Sequence, residues 1–254
     1  MKLHFRKIGN GQPLIILHGL FGSSDNWQTL GKKFASTDFS VYLVDLRNHG
    51  HSPHSSEHNY KVMSEDILEI INDENISPVS IIGHSMGGKT AMQLALDHPE
   101  KISNLIVVDI APKKYPSHNS EIVKALLTVD FEKTKTRKEV EKILSEKIND
   151  YGSLQLLLKG LYWKENNQLD WRFNLKAIHT NLEIMNEEVS GYDSFKKPTL
   201  FIRGEKSNYI LDDDILLIKK YFPAAEIKTT PVAGHWVHAD NPQWFLETVI
   251  SFLK

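Results

Sequence analysis

Apolar residues fall into short runs rich in β-branched side chains, separated by stretches whose apolar positions recur every three or four residues. Residues 3–8 alternate weakly. Residues 13–17, 41–44, 79–82, 105–108, 199–202 and 227–230 form compact apolar runs, the pattern of strands buried on both faces. Helical periodicity lies between them at 60–72, 89–97, 212–221 and 244–253. This alternation predicts an α/β fold, a mostly parallel sheet with helices on both faces. Ligands in such sheets bind beyond the carboxyl ends of the strands.

The alternation lapses once. Residues 112–190 carry no strand pattern, only helix-like stretches at 120–129, 137–148, 154–163 and 175–189, with nearly balanced charge. A helical insert on the ligand-binding edge predicts a cap over the site. The expected division is a core of residues 1–111 and 191–254 with a cap of residues 112–190 inserted in it.

At 254 residues, with 41% hydrophobic and 24% charged side chains, the chain suits one large α/β domain with an insertion. Its formal net charge of −2 gives no electrostatic reason for a nucleic acid or an anionic membrane as partner. The absence of cysteine excludes disulfides, thiolate metal sites and cysteine nucleophiles. No apolar run reaches the length of a membrane span, and the charged N-terminus lacks a signal sequence's apolar stretch. A cytoplasmic protein acting on a small molecule is the expectation.

The chemistry concentrates where the run 79–82 enters Gly83-His84-Ser85-Met86-Gly87 and a helical pattern follows. A serine on a sharp strand-to-helix turn projects its hydroxyl above the sheet edge, and the flanking glycines let the backbone fold that tightly. The Met86 amide then sits at a helix N-terminus, where unpaired N–H groups favour negative charge. The same letters admit a rival, since Gly83, Gly88, Lys89 and Thr90 fit a phosphate-binding loop, with 105–109 as an acidic magnesium-holding strand.

Two further motifs suit a hydrolase and have no role in a phosphate-binding loop. His18-Gly19-Leu20-Phe21-Gly22 follows the second strand and can aim an amide at an oxyanion, from Leu20 or alternatively Phe21. Gly234-His235-Trp236 follows the last strand, where a general base would arrive. A serine, an acid and a histidine in that chain order match the α/β-hydrolase arrangement.

Along its whole length the chain resembles the α/β-hydrolase superfamily. The resemblance rests on His18-Gly19-Leu20-Phe21-Gly22-Ser23, Arg47-Asn48-His49-Gly50, Gly83-His84-Ser85-Met86-Gly87-Gly88-Lys89, Asp109-Ile110-Ala111-Pro112, Trp171-Arg172-Phe173-Asn174 and Gly234-His235-Trp236-Val237-His238-Ala239. It implies a hydrolase of carboxylic esters or thioesters, acyl-CoA among them, with a helical cap. Many members carry their acid after the strand that here is 198–204, but this chain has Ser207 in that loop. The acid is therefore assigned to Asp109, with a residue near Ser207 as the alternative and Ser207 as a further partner of His235. The reading is a serine esterase using Ser85, Asp109 and His235, with oxyanion donors at Met86 and Leu20.

His18 and His84 are read as loop braces beside the reactive positions, and Trp163, Trp171 and Trp236 as lining for an acyl pocket. The histidines of the 49–58 segment loosely resemble a binuclear metal motif but lack its aspartate, so they are read as a solvated loop. No cofactor and no metal are expected. The alternatives are a C–C bond hydrolase or lyase using the same three residues, and a non-enzymatic receptor for a small ligand on this fold.

Overall fold

The computed structural model describes residues 1–116, 119–191 and 193–254. Its strands are β1 (Phe5–Ile8), β2 (Gln12–Leu17), β3 (Phe39–Val44), β4 (Val79–His84), β5 (Ile102–Val108), β6 (Leu161–Trp163), β7 (Leu169–Trp171), β8 (Thr199–Gly204) and β9 (Ala225–Thr230). Seven of these form one sheet in the order β1-β3-β2-β4-β5-β8-β9, parallel except for β1 against β3. The helices are α1 (Gln28–Ala35), α2 (Tyr60–Asp73), α3 (Met86–Asp97), α4 (Asn119–Leu127), α5 (Arg137–Ser145), α6 (Tyr151–Lys159), α7 (Leu175–Thr180), α8 (Leu182–Asn186), α9 (Ile215–Tyr221), α10 (Val237–Asp240) and α11 (Pro242–Leu253). No helix among the described residues is long and apolar enough to cross a membrane.

Strand alternation sorts the core into two layers. Ile15, Leu17, Ile81, Leu105 and Val107 face α2, α3 and α9, while Leu14, Ile16, Ile82, Ile106 and Val108 face α1 and α11. Both sets are buried, which is why the central strands read as continuous apolar runs. Each fully buried aliphatic side chain contributes roughly 1.5–3 kcal/mol.

Between β5 and β8 the chain builds α4 to α8 around a third apolar cluster of its own, with Leu126, Val140, Leu144, Leu157 and Ile178 at its centre. The expectation of an insert without strands is corrected here, because β6 and β7 pair as an antiparallel hairpin. Three-residue strands are too short to show a period of two. The stretch 175–189 is likewise two short helices, since the chain turns at Asn181, whose side chain bonds the Ala177 and Ser56 carbonyls. Polar ties hold the insert to the loop after β3 and to α2: the Asn174 amide donates to the Asn48 carbonyl at 2.8 Å, and the Tyr60 hydroxyl donates to the Met185 carbonyl at 2.6 Å.

Candidate active site

Ser85 joins β4 to α3 at φ 52° and ψ −114°, a sparsely populated conformation for a residue with a Cβ. Such strain costs on the order of 1–3 kcal/mol and persists only where the surroundings impose it. Here the Ser85 amide donates to the Val108 carbonyl at 3.0 Å, fixing the turn to the end of β5. Gly83 and Gly87 are required by contact: a Cβ on Gly83 would lie 2.2 Å from the Gly87 carbonyl oxygen, and one on Gly87 would lie 2.6 Å from those of Leu17 and His18.

Asp109 follows β5 in a second strained turn, at φ 51°, with its amide bonded to the Ile202 carbonyl at 2.8 Å. Its carboxylate is fully buried. Oδ2 accepts from His235 Nδ1 at 2.8 Å and from the Ser207 hydroxyl, and Oδ1 accepts the Gly204 amide at 3.0 Å. The Nδ1–H bond leaves the lone pair of His235 on Nε2. Tyr209 stacks on the imidazole at 3.9 Å and 19°. Gly204 permits this convergence, because a Cβ there would stand 2.1 Å from the Gly234 carbonyl oxygen.

Ser85 and His235 line one cavity, about 70 Å³, together with Leu20, His84, Tyr209 and Trp236. Leu20, Ser85 and Tyr209 also line a second cavity of about 40 Å³, which contains Met86 and Lys89 but not His235. Met86 opens α3. Leu20 borders both cavities, whereas the Phe21 amide is already engaged, donating to His49 Nε2 at 3.2 Å. Trp236 lies in the cavity; Trp163 and Trp171 line neither one. Trp171 instead packs on Phe131 and Phe173 inside the insert, and Trp163 is half exposed on the hairpin.

The neighbouring histidines brace loops. His18 donates from Nδ1 to the Gly19 carbonyl at 2.8 Å and accepts the Leu46 amide on Nε2 at 3.1 Å, so it is neutral. His84 donates from Nε2 to the His235 carbonyl at 3.0 Å. Burial first, and then the neighbouring His235 and His238, hold His84 well below its ordinary value. His49 and His58 are buried rather than solvated. Burial, with the Arg47 cation as a lesser cause, pushes His58 down to about 4. The expectation of a solvated loop missed the burial because polar letters give no sign that a loop will be folded under an insert.

These buried neutral imidazoles make the fold sensitive to acid. His238, stacked on Trp27 at 4.0 Å, is pushed down to about 3, chiefly by burial. Between pH about 6.5 and these lowered values the unfolded chain binds protons that the folded chain refuses, so stability falls as pH falls through that window. One such group contributes a slope of about 1.4 kcal/mol per pH unit, or roughly 3–6 °C in Tm for a domain of this size. Thermal melts from pH 7.5 to 4 are expected to show that decline, and His238→Phe to flatten it. An unchanged slope in the variant would refute the role of His238.

The family with the alpha/beta hydrolase fold matches residues 12–140. The sn-1-specific diacylglycerol lipase ABHD11 of Danio rerio is 37% identical over 97% of this chain and 80% of its own. The chain belongs to the α/β-hydrolase family. Within it, the chain falls among esterase- and lipase-type enzymes. Esterase YbfF of Escherichia coli is 34% identical over 96% of this chain and 94% of its own. A solved structure described as a marine microorganism esterase superposes with TM-score 0.96 at 44% identity, covering 99% of both chains. The letters from Gly83 to Thr90 that also fit a phosphate-binding loop thus form a hydrolase turn, and Lys89 is buried.

Sequence reasoning passed over three residues of this site. Tyr209 carries no signal beyond lying two positions after Ser207. Gly204 ends an apolar run, a place where glycine is unremarkable. Lys89 entered the reading within the rival motif and the resemblance, without a role of its own.

Proposed function

We propose that the protein is a serine esterase acting through an acyl-enzyme. Ser85 attacks the acyl carbonyl while His235 Nε2 takes its proton, and Asp109 holds the imidazole in the required tautomer and stabilises its charged form. The amides of Met86 and Leu20 receive the oxyanion, the Phe21 amide being occupied by His49. His235 returns the proton to the departing alcohol, then activates the water that releases the acid. Residues 112–190 serve as the cap whose Ile122, Leu156 and Leu157 roof the cavity at Ser85. Carboxylic esters are the favoured substrates. Thioesters, including acyl-CoA, are a second class open to the same attack.

The observation that carries this reading is the 2.8 Å contact between Asp109 and a His235 that lines one cavity with the strained Ser85. Ser207 adds a second donor to the same carboxylate oxygen. A fluorophosphonate probe is expected to label Ser85 in the folded protein, and His235→Ala to lose labelling by a large factor. Folded protein that resists the probe would favour the receptor alternative.

A further inference from the structure

Lys89 lies one helical turn beyond Ser85, about 6 Å further along α3. It is only 1% exposed. Its ammonium donates to the Glu187 carbonyl and sits over the rings of Tyr115 at 4.9 Å and Tyr60 at 5.3 Å. Among the described residues no carboxylate forms an ion pair with it: the Glu187 side chain is taken by Lys114 at 2.6 Å, and Glu187 and Glu188 act on Lys89 only at longer range. Both tyrosine hydroxyls are also committed elsewhere, to the Met185 and Tyr209 carbonyls. Among the described residues the ammonium thus has one hydrogen-bonding partner and two ring faces but no paired carboxylate, an expensive arrangement for a buried cation unless a further anion meets it. Lys89 borders the smaller cavity at Ser85.

The proposed mechanism decides which part of a substrate reaches it. His235 must protonate the leaving group, so the leaving group lies in the cavity that His235 lines. The acyl portion then enters the other cavity, toward Lys89. That cavity is the smaller of the two, about 40 Å³, with room for a few water-sized groups.

We propose that Lys89 anchors a carboxylate at the far end of the acyl group, making half-esters of short dicarboxylic acids preferred substrates. This rests on the serine esterase reading for its direction, although the anion site itself does not. The acid would place its reacting carbonyl at Ser85 and its second carboxylate on the Lys89 ammonium, beside Tyr60 and Tyr115. Burial pushes the free ammonium down to about 7, and an arriving carboxylate favours its charged form.

The test is calorimetric titration with glutarate and with valerate, which differ by one carboxylate. Wild-type protein is expected to bind glutarate about 10- to 100-fold more tightly, the range for a hydrogen bond to a charged group. Lys89→Met should bring that ratio close to one and Lys89→Arg should keep most of it. Methionine fills similar volume without a charge, a replacement that buried sites usually tolerate. Turnover of monomethyl glutarate against methyl valerate should show the same dependence in the ratio of kcat/KM values. Equal binding of the two acids, no binding of glutarate, or a preference that survives Lys89→Met would overturn the proposal. A glutarate preference lost in Lys89→Met, without hydrolysis of either ester, would uphold the subsite and overturn the esterase reading instead.

Discussion

Ser85→Ala is expected to abolish hydrolysis of p-nitrophenyl esters from acetate to palmitate, lowering kcat by about 10⁴- to 10⁶-fold, the scale seen when a serine nucleophile is removed. The reasoning is local. Ser85 lines a cavity with His235 and Leu20 and directly precedes Met86, so the proposed nucleophile, base and oxyanion donors border one space. The remaining groups bind substrate but supply no nucleophile. The fold should survive, because alanine keeps the Cβ of Ser85 and the amide bond to Val108. Strain at φ 52° is imposed by the backbone and so is common to both proteins. Unchanged Tm with lost activity is the expected pair of results. Retention of a tenth of the wild-type rate would place the nucleophile elsewhere. The wild-type chain-length profile would in turn size the cavities beneath the insert.

Asp109→Asn is expected to lower kcat by about 10³- to 10⁴-fold with little change in KM, the effect known for an orienting aspartate. In the wild type, Oδ2 accepts from His235 Nδ1 and from Ser207, while Oδ1 accepts from the Gly204 amide. All three partners are donors, so a carboxylate satisfies them and an amide cannot. Asparagine can keep its oxygen toward Gly204, but its NH₂ then faces Ser207 and His235. The imidazole is driven to accept on Nδ1 and to carry its proton on Nε2, where Ser85 needs a base. Substrate contacts are untouched, which is why the loss should fall on kcat. Steady-state kinetics on a short p-nitrophenyl ester measure it, and near wild-type turnover would remove Asp109 from the mechanism.

The serine turn could be recognised from a few adjacent letters because its requirements are local. Gly83 and Gly87 are there to avoid carbonyl oxygens only 2.2 Å and 2.6 Å from a Cβ, and no other residue would do. The sheet was legible for a similar reason, since burial on both faces leaves a continuous apolar run. Boundaries were less so: β3 begins at Phe39 and β5 at Ile102, each starting before its most apolar residues. The insert was the least legible part. Its hairpin is too short for a period, and Trp171, an attractive pocket residue by composition, is spent on the insert's own core.

The sequence by itself determined the class of fold and the tight turn at Ser85, because strand burial and turn geometry depend on neighbours within a few residues. Only the tertiary structure decided what the site residues meet. Asp109 and His235 are far apart in the chain and 2.8 Å apart in space, brought together by the parallel order β4-β5-β8-β9, which collects successive strand ends on one edge. The same assembly closes His49, His58 and Lys89 away from water, although nothing in their letters distinguishes them from solvated side chains. Burial is a property of what packs over a residue, and here the covering segments come from distant parts of the chain.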